Sequence, residues 1–299
     1  MRAGFVTLVG RPNAGKSTLL NRAVGTKVAI TSDKPQTTRT RILGVSNLPD
    51  GQVVFVDTPG IHRPVHRMNA RMVETAVEAM RGVDVVALVV DASVPGGSGD
   101  RYVVGLLARV DVPVVLALNK IDVVAKPRLL PIIDWYRRQR EFAEIVPLSA
   151  LTGDGVDRLV AAVVAQLPEG EPLYPDDFLT DQPERTYVAE VVREKLLHHT
   201  RDELPFATAV IVDRFEEPDA PGSRGVMRLY CSILVDHDSQ KPIVIGRQGQ
   251  LVKRIGTEAR EELEAFFGAR VFLDLHVKVR EGWREDERVL REMGLGRQR

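Results

Sequence analysis

Residues 10 to 18, GRPNAGKST, constrain this chain more than any other stretch. Gly10, Gly15, Lys16 and Ser17 fill the fixed places of G-x-x-x-x-G-K-[ST], with Arg11, Pro12, Asn13 and Ala14 between them and Thr18 following. An apolar run, Phe5 to Val9, comes first and reads as a buried strand, while Lys16 to Val24 reads as a helix. Strand, glycine loop and helix in that order make a phosphate site. The glycines let the backbone curl so that successive N–H groups point inward, and the helix start adds positive potential. Lys16 can reach β- and γ-phosphate oxygens, and the Ser17 hydroxyl can ligate Mg²⁺. A glycine turn that merely starts a helix is the plainer alternative, and the flanking pattern argues against it.

The 299 residues are enough for two domains. Forty-one basic side chains balance 41 acidic ones, so any surface that attracts nucleic acid has to be local. The single cysteine, Cys231, permits no internal disulfide and sits in an apolar run that makes it core. No Cys/His cluster has metal-ligand spacing, and no apolar run approaches bilayer length. The first strand begins too early for a signal peptide, so a reducing cytoplasm is expected.

Downstream of the first helix, Thr31 to Arg41 (TSDKPQTTRTR) is too long and polar for a simple connector, which suggests a lid or switch. Thr37 and Thr38 each offer a hydroxyl to a metal, and the local sequence does not separate them. Ile42 to Leu48 and Gln52 to Val56 read as a hairpin that ends in Asp57-Thr58-Pro59-Gly60. Asp57 suits a place on or beside Mg²⁺, and the Gly60 N–H can meet the γ-phosphate. Methionines along Val65 to Val83 fall at helical spacing and read as core, and Pro95 to Gly99 reads as a flexible loop. A further buried strand, Val112 to Leu118, ends in Asn119-Lys120-Ile121-Asp122. The Asp122 carboxylate matches the N1–H and 2-amino donors of guanine, whereas adenine would leave it unpaired. Asn119 can tie this loop to the phosphate loop, Lys120 can lie along the base, and backbone N–H groups of Ser149-Ala150-Leu151 can meet the guanine O6. An ATP-binding reading fails on Asp122.

The second half opens with Pro168 to Pro183, proline-rich and acidic, which reads as an interdomain linker. Glu184 to His199 reads as an amphipathic helix whose adjacent His198 and His199 point apart and are surface residues. Pro205 to Phe215 and Val226 to Val235 read as strands around a loop, 216–225. Then Ile243 to Ile245, expected as a strand, runs into Gly246-Arg247-Gln248-Gly249 and a helix. Lys241, Arg247, Lys253 and Arg254 cluster there without an acidic residue. Glycines with clustered positive charge suit a loop pressed on a sugar–phosphate backbone, with Ile245, Leu251 and Ile255 offered to bases, as in KH modules. With the strand Val271 to Arg280 the expected order is β-α-α-β-β-α-α-β. A structural domain with a solvated basic helix start is the alternative.

Together the phosphate loop, PQTTRTR, DTPG, NKID and SAL resemble the translation-factor-related GTPases, and the Era family in particular. KPIVIGRQGQLVKRIG and the late GW-x-x-DER segment (Gly282 to Arg288) are similar to the C-terminal domain of that family. The resemblance implies that Thr38, rather than Thr37, closes on Mg²⁺ and γ-phosphate. Ile61 stands where Ras-type GTPases carry a water-orienting glutamine, and some GTPases with a hydrophobic residue there use a K⁺ held partly by an asparagine at the place of Asn13. The expectation is a phosphate-loop GTPase domain with a doubly wound, mostly parallel sheet (1–167), a linker (168–183) and an α+β KH-like (type II) RNA-binding domain with a C-terminal tail (184–299). The same resemblance implies a monomer that binds GTP, GDP and the single-stranded 3′ end of 16S rRNA, acts in small-subunit assembly, and associates peripherally with the inner face of the cell membrane. A GTP-dependent switch whose second domain binds a protein is the competing reading.

Overall fold

The computed structural model describes residues 1–201, 203–217 and 225–295. The chain divides into two units, one spanning most of residues 1–181 and the other beginning at Gln182.

The first unit is built on a six-stranded sheet. In chain order its elements are β1 (Arg2–Val9), α1 (Lys16–Val24), β2 (Ile42–Leu48), β3 (Gly51–Asp57), α2 (Arg67–Glu78), β4 (Val85–Asp91), α3 (Ser98–Leu107), β5 (Val114–Asn119), α4 (Leu129–Arg137), β6 (Glu144–Pro147) and α5 (Val156–Gln166). The sheet order is β2-β3-β1-β4-β5-β6, parallel throughout except for the β2–β3 hairpin. Continuous apolar strands are what a sheet covered on both faces needs. Alternation then divides each strand between two cores. Val85, Ala87 and Val89 pack with Leu19, Leu20, Leu159 and Val163 on one face. Val86, Leu88 and Val90 pack with Ala76, Met80, Val103 and Tyr136 on the other. The segment expected as a flexible loop, Pro95 to Gly99, already contains the start of α3, where the Asp100 carboxylate accepts from Gly97 N at 3.0 Å.

Residues 168–181 group with the first unit rather than standing free. Gln52, 1% exposed near the start of β3, holds this segment by its side-chain amide. Its Nε2 donates to Tyr174 O and Asn47 Oδ1, both at 2.8 Å, and its Oε1 accepts from Leu173 N at 2.7 Å and Tyr174 N at 2.9 Å. Tyr174 stacks on Phe178 at 4.5 Å over Leu43, Val45 and Val54.

The second unit runs α6 (Glu184–His199), α7 (Leu204–Ala207), β7 (Thr208–Glu216), β8 (Val226–Val235), α8 (Lys241–Ile245), α9 (Gln250–Phe267), β9 (Arg270–Val279) and α10 (Glu287–Glu292). Its sheet order is β7-β8-β9, with β7–β8 antiparallel and β8–β9 parallel. The order α-α-β-β-α-α-β-α replaces the expected β-α-α-β-β-α-α-β, in part because Lys241 to Ile245 forms a helix and not a strand. Pro242 sits in its first turn, where a missing N–H costs nothing. The expected strand from Pro205 likewise starts late, after α7. In the expected loop 216–225, residues 218–224 lie outside the described ones. Cys231 is buried as expected, and burial pushes its thiol up to about 12. His199 is not a free surface residue: its Nε2 lies 2.7 Å from Glu258 Oε2, joining α6 to α9.

Replacing Gln52 by alanine leaves two part-buried backbone N–H groups and a carbonyl without partners. An orphaned buried group costs about 1–3 kcal/mol. Gln52→Ala should therefore lower the melting temperature and expose 168–181 to limited proteolysis, with unchanged cleavage as the contrary result.

Candidate functional site

Parallel strands β1, β3, β4, β5 and β6 deliver their carboxyl ends to one edge of the sheet, where a doubly wound fold binds ligands. The phosphate loop lies there between β1 and α1. It can curl only because two side chains are missing. A Cβ on Gly10 would lie 2.2 Å from Val89 O, and one on Gly15 would lie 2.2 Å from Asn119 Nδ2.

Lys16 is 6% exposed, with its Nζ 3.2 Å from Arg11 O. Burial pulls its ammonium below the ordinary lysine value, and Asp57 pulls the other way. For Asp57 burial pushes the carboxyl up, against the Lys16 charge and hydrogen bonds from Ser17 and Thr38. Burial opposes the charge on both groups more than their mutual attraction favours it.

Ser17, Thr38 and Asp57 converge. Ser17 Oγ is 2.6 Å from Asp57 Oδ2 and 2.7 Å from Thr38 Oγ1, and Thr38 Oγ1 donates to Asp57 Oδ2 at 3.1 Å. Asp57 Oδ1 is buried with no hydrogen-bond partner. Two hydroxyls and a carboxylate with one oxygen unspent form a hard donor set that fits Mg²⁺, which takes few protein ligands and keeps its waters. Among the described residues there is no cluster of three His, Cys, Asp or Glu that would suit a softer metal. Thr37 turns away and spends its hydroxyl on Lys34 O at 2.6 Å. Geometry thus separates the two threonines that local sequence left equal.

The turn Asp57-Thr58-Pro59-Gly60 closes on the phosphate loop. Thr58 Oγ1 donates to Leu8 O at 2.7 Å, and Ile61 N donates to Gly10 O at 2.9 Å. A Cβ on Gly60 would meet Pro12 Cα at 2.7 Å, so a side chain there would push the turn off the loop. Ile61 is 1% exposed and packs with Val9 and Met80, so its side chain faces core and offers nothing to a phosphate. Asn13, at φ 62°, donates Nδ2 to Asp33 O at 2.7 Å.

At the base end, Asn119 gathers three loops. Its Nδ2 donates to Ala14 O, and its Oδ1 accepts from Lys120 N and Ala150 N, all at 2.8 Å. Ala150 N–H is therefore spent inside the protein, as is Ser149 N–H, which donates to Asp154 O at 2.8 Å. Asp122 is exposed, and Ser149 is buried. Sequence reasoning missed two supports. Asp91, at the end of β4, takes the Lys120 ammonium at 2.6 Å, and the signal was there in an acidic residue ending a buried strand, as at Asp57. Arg22 of α1 donates to Leu151 O at 2.5 Å.

In the second unit the turn between α8 and α9 has left-handed backbone at Gly246 (φ 76°), Gln248 (φ 52°) and Gly249 (φ 76°). Lys241, Arg247, Gln248, Lys253 and Arg254 are exposed around it. Ile245 and Leu251 are half-buried, whereas Ile255, expected to face bases, is wholly buried in the core under α9. Helical periodicity put it on the inner face. The side chain that does project there is Ile243, 52% exposed.

A phosphate loop, a guanine-reading loop and a parallel sheet followed by a sheet-and-helix unit with a glycine turn define a GTPase joined to a KH domain. The comparisons agree. A family described as "50S ribosome-binding GTPase" matches residues 5–120 and a KH domain family matches residues 210–284. GTPase Era of Geobacter metallireducens is 50% identical over 293 residues, 98% of this chain and 97% of its own. GTPase Era of Heliobacterium modesticaldum is 45% identical over 295 residues, 99% and 97%. A crystal structure of Era with MgGDPNP and nucleotides 1506–1542 of 16S ribosomal RNA is 41% identical, covers 99% of this chain and 100% of that one, and superposes with a TM-score of 0.94. An Aquifex aeolicus Era variant bound to GDP and AlF4⁻ is 40% identical over the same shares, with a TM-score of 0.92. The chain belongs to the Era family of GTPases.

Thr38→Ala should lower Mg²⁺ affinity in the nucleotide complex by about 10- to 100-fold and slow hydrolysis, whereas Thr37→Ala should leave both nearly unchanged. Metal titration of the two variants decides; equal losses would return the choice between them to open.

Proposed function

We propose that this chain binds GTP at the β1–α1 loop, hydrolyses it to GDP and phosphate, and holds the single-stranded 3′ end of 16S rRNA on its KH unit during small-subunit assembly. The observation that carries the catalytic half is the buried Asp57 with one unspent oxygen beside the Ser17 and Thr38 hydroxyls. The Era structure with MgGDPNP and 16S rRNA supports the pairing of nucleotide and RNA.

On this reading Gly10 to Thr18 wrap the α- and β-phosphates with backbone N–H groups. Lys16 neutralises charge on the β- and γ-phosphates, and its burial makes that charge count for more than it would in water. Asp57, Ser17 and Thr38 would hold Mg²⁺, which screens the same oxygens. Gly60 presents its N–H to the γ-phosphate, and Thr38 closes the switch segment over it. Asp122 reads the guanine N1–H and 2-amino group, and Lys120, held by Asp91, lies along the base. Ile61 supplies no general base, so attack by water rests on positioning and on charge stabilisation. Because Asn13 spends only its Nδ2, its Oδ1 is a carbonyl ligand that K⁺ could share with phosphate oxygens.

In the KH unit, Lys241, Arg247, Gln248, Lys253 and Arg254 would contact the sugar–phosphate backbone across Gly246 and Gly249, and Ile245 would meet a base. A cytoplasmic monomer with peripheral contact to the inner membrane face completes the reading. No helix among the described residues is long and apolar enough to cross a membrane.

Asp122→Asn should move preference from GTP toward XTP, read by competition binding; full retention of GTP preference removes Asp122 from base recognition. If Asn13 holds K⁺, replacing K⁺ by Na⁺ should slow hydrolysis in the parent chain and make no difference in Asn13→Ala. For RNA, a Cβ on Gly249 would meet nothing within 4 Å, and aspartate tolerates left-handed backbone. Gly249→Asp should therefore fold with a modest loss of stability from the strain at φ 76°, keep GTP affinity and lose single-stranded RNA binding in a filter assay. Unchanged RNA affinity would sink the KH assignment.

A further inference from the structure

The α8–α9 turn is not the only place in the second unit where aromatic and basic side chains meet. Helices α6 and α9 cover one face of the sheet β7-β8-β9; on the other face Ala209, Ser232 and Leu234 are buried at one end, while Val226, Arg228, Arg270 and Phe272 are exposed at the other. Met227, Leu229, Cys231, Ile233 and Val271 point inward and pack with α6 and α9. Alternation sends Val226, Arg228 and Tyr230 of β8 to the other face, and the parallel register sets them beside Arg270, Phe272 and Asp274 of β9. Arg214 of β7 lies opposite Tyr230. Phe272 is 48% exposed, its ring centroid 5.9 Å from that of Tyr230, and the Arg214 guanidinium lies over the Tyr230 ring at 5.7 Å.

Charge on this face is asymmetric. Arg214 pairs with Glu216, Lys278 with Asp213 and His276 with Asp274. Arg228 and Arg270, which flank Phe272 across and along the sheet, are exposed and make no ion pair among the described residues; Glu216, opposite Arg228, is taken by Arg214. Phe272 is half-exposed beside Tyr230, with Arg228 and Arg270 next to it and without carboxylate partners. This arrangement matches what single-stranded RNA needs: a ring for a base to stack on, and guanidinium groups for the flanking phosphates. A protein partner or a second copy would also cover Phe272, but neither calls for two uncompensated arginines at its margin.

We propose that the outer face of this sheet, centred on Phe272 and Tyr230 with Arg228 and Arg270, is a second binding platform for single-stranded RNA. It lies apart from the glycine turn. The 18 residues of α9 separate the turn from the start of β9, about 27 Å at 1.5 Å per residue. One strand clamped at the turn would run round the domain to reach it, so the platform rests on the reading of the turn as an RNA clamp. It lengthens the RNA footprint and serves strands too long for the turn alone, which clamps about four nucleotides.

The full chain is titrated with two single-stranded RNAs of the 16S 3′ end, one of about five nucleotides and one on the order of twenty. Phe272→Ala and Tyr230→Ala should each weaken the long RNA about tenfold and leave the short one unchanged, while Phe272→Trp restores affinity. Arg228→Gln with Arg270→Gln should flatten the salt dependence for the long RNA alone. Both rings sit at the surface, so circular dichroism should show unchanged folding, and Phe272→Trp carries the test if Tyr230→Ala does not fold. Equal long-RNA affinity in all variants overturns the platform while leaving the clamp intact. Loss of self-association or of a protein contact with RNA affinity unmoved overturns it in favour of a protein interface. If the parent chain binds neither RNA, the clamp and the platform fail together.

Discussion

One side-chain amide, that of Asn119, holds the nucleotide site together. It donates to the phosphate loop at Ala14 and accepts from the base-reading loop at Lys120 and from the last loop at Ala150. Those loops come from strands β1, β5 and β6, of which β5 and β6 pair while β4 separates them from β1. Without this tie each would keep its own conformational entropy, of about 1–2 kcal/mol per residue, to be lost again when nucleotide binds. The amide also sits where a Cβ on Gly15 would stand. The glycine of the motif and the asparagine of a loop about a hundred residues later are therefore one device, in which the first is absent so that the second can reach.

Much of this was legible in the sequence, because the nucleotide motifs are short, local and tied to strand ends. The sheet was legible too, since β4 is apolar from Val85 to Val90 and a doubly covered sheet uses such strands. What escaped notice had no local signal. KPIVI is a run of β-branched residues too short for periodicity to choose between strand and helix; Pro242 in the first turn was the cue. Ile255 lies in the same basic stretch as Leu251, yet helical phase buries it. The proline-rich segment from Pro168 reads as a spacer by composition, and it is held down by Gln52, a polar residue inside a strand whose pattern predicts nothing. Sequence reports what a residue does to its neighbours in the chain far better than what it does for a segment over a hundred residues away.

The site is also where the chain departs from its own stability. Lys16 and Asp57 are buried, each displaced by burial toward its neutral form. A pair of this kind costs more to desolvate than its mutual attraction returns unless further charge arrives. Phosphate and Mg²⁺ are that charge. The same placement that weakens the empty protein makes binding of the right ligand worth more, which is the ordinary relation between a strained site and its function.

The two glycines of the α8–α9 turn show how to tell a structural requirement from a functional one. Both have left-handed backbone, and from sequence they carry the same signal. A Cβ on Gly246 would come 2.6 Å from Leu251 Cβ, so packing inside the domain excludes any side chain there. A Cβ on Gly249 would meet nothing. The neighbouring Gln248 adopts φ 52° with a full side chain, so left-handed backbone alone does not demand glycine in this turn. At Gly249 the protein itself gives no packing reason to leave out a side chain. The φ of 76° at that glycine is the fold's own, milder reason for it, and the space left open beside it is ringed by exposed basic groups, Arg247 and Lys253 among them.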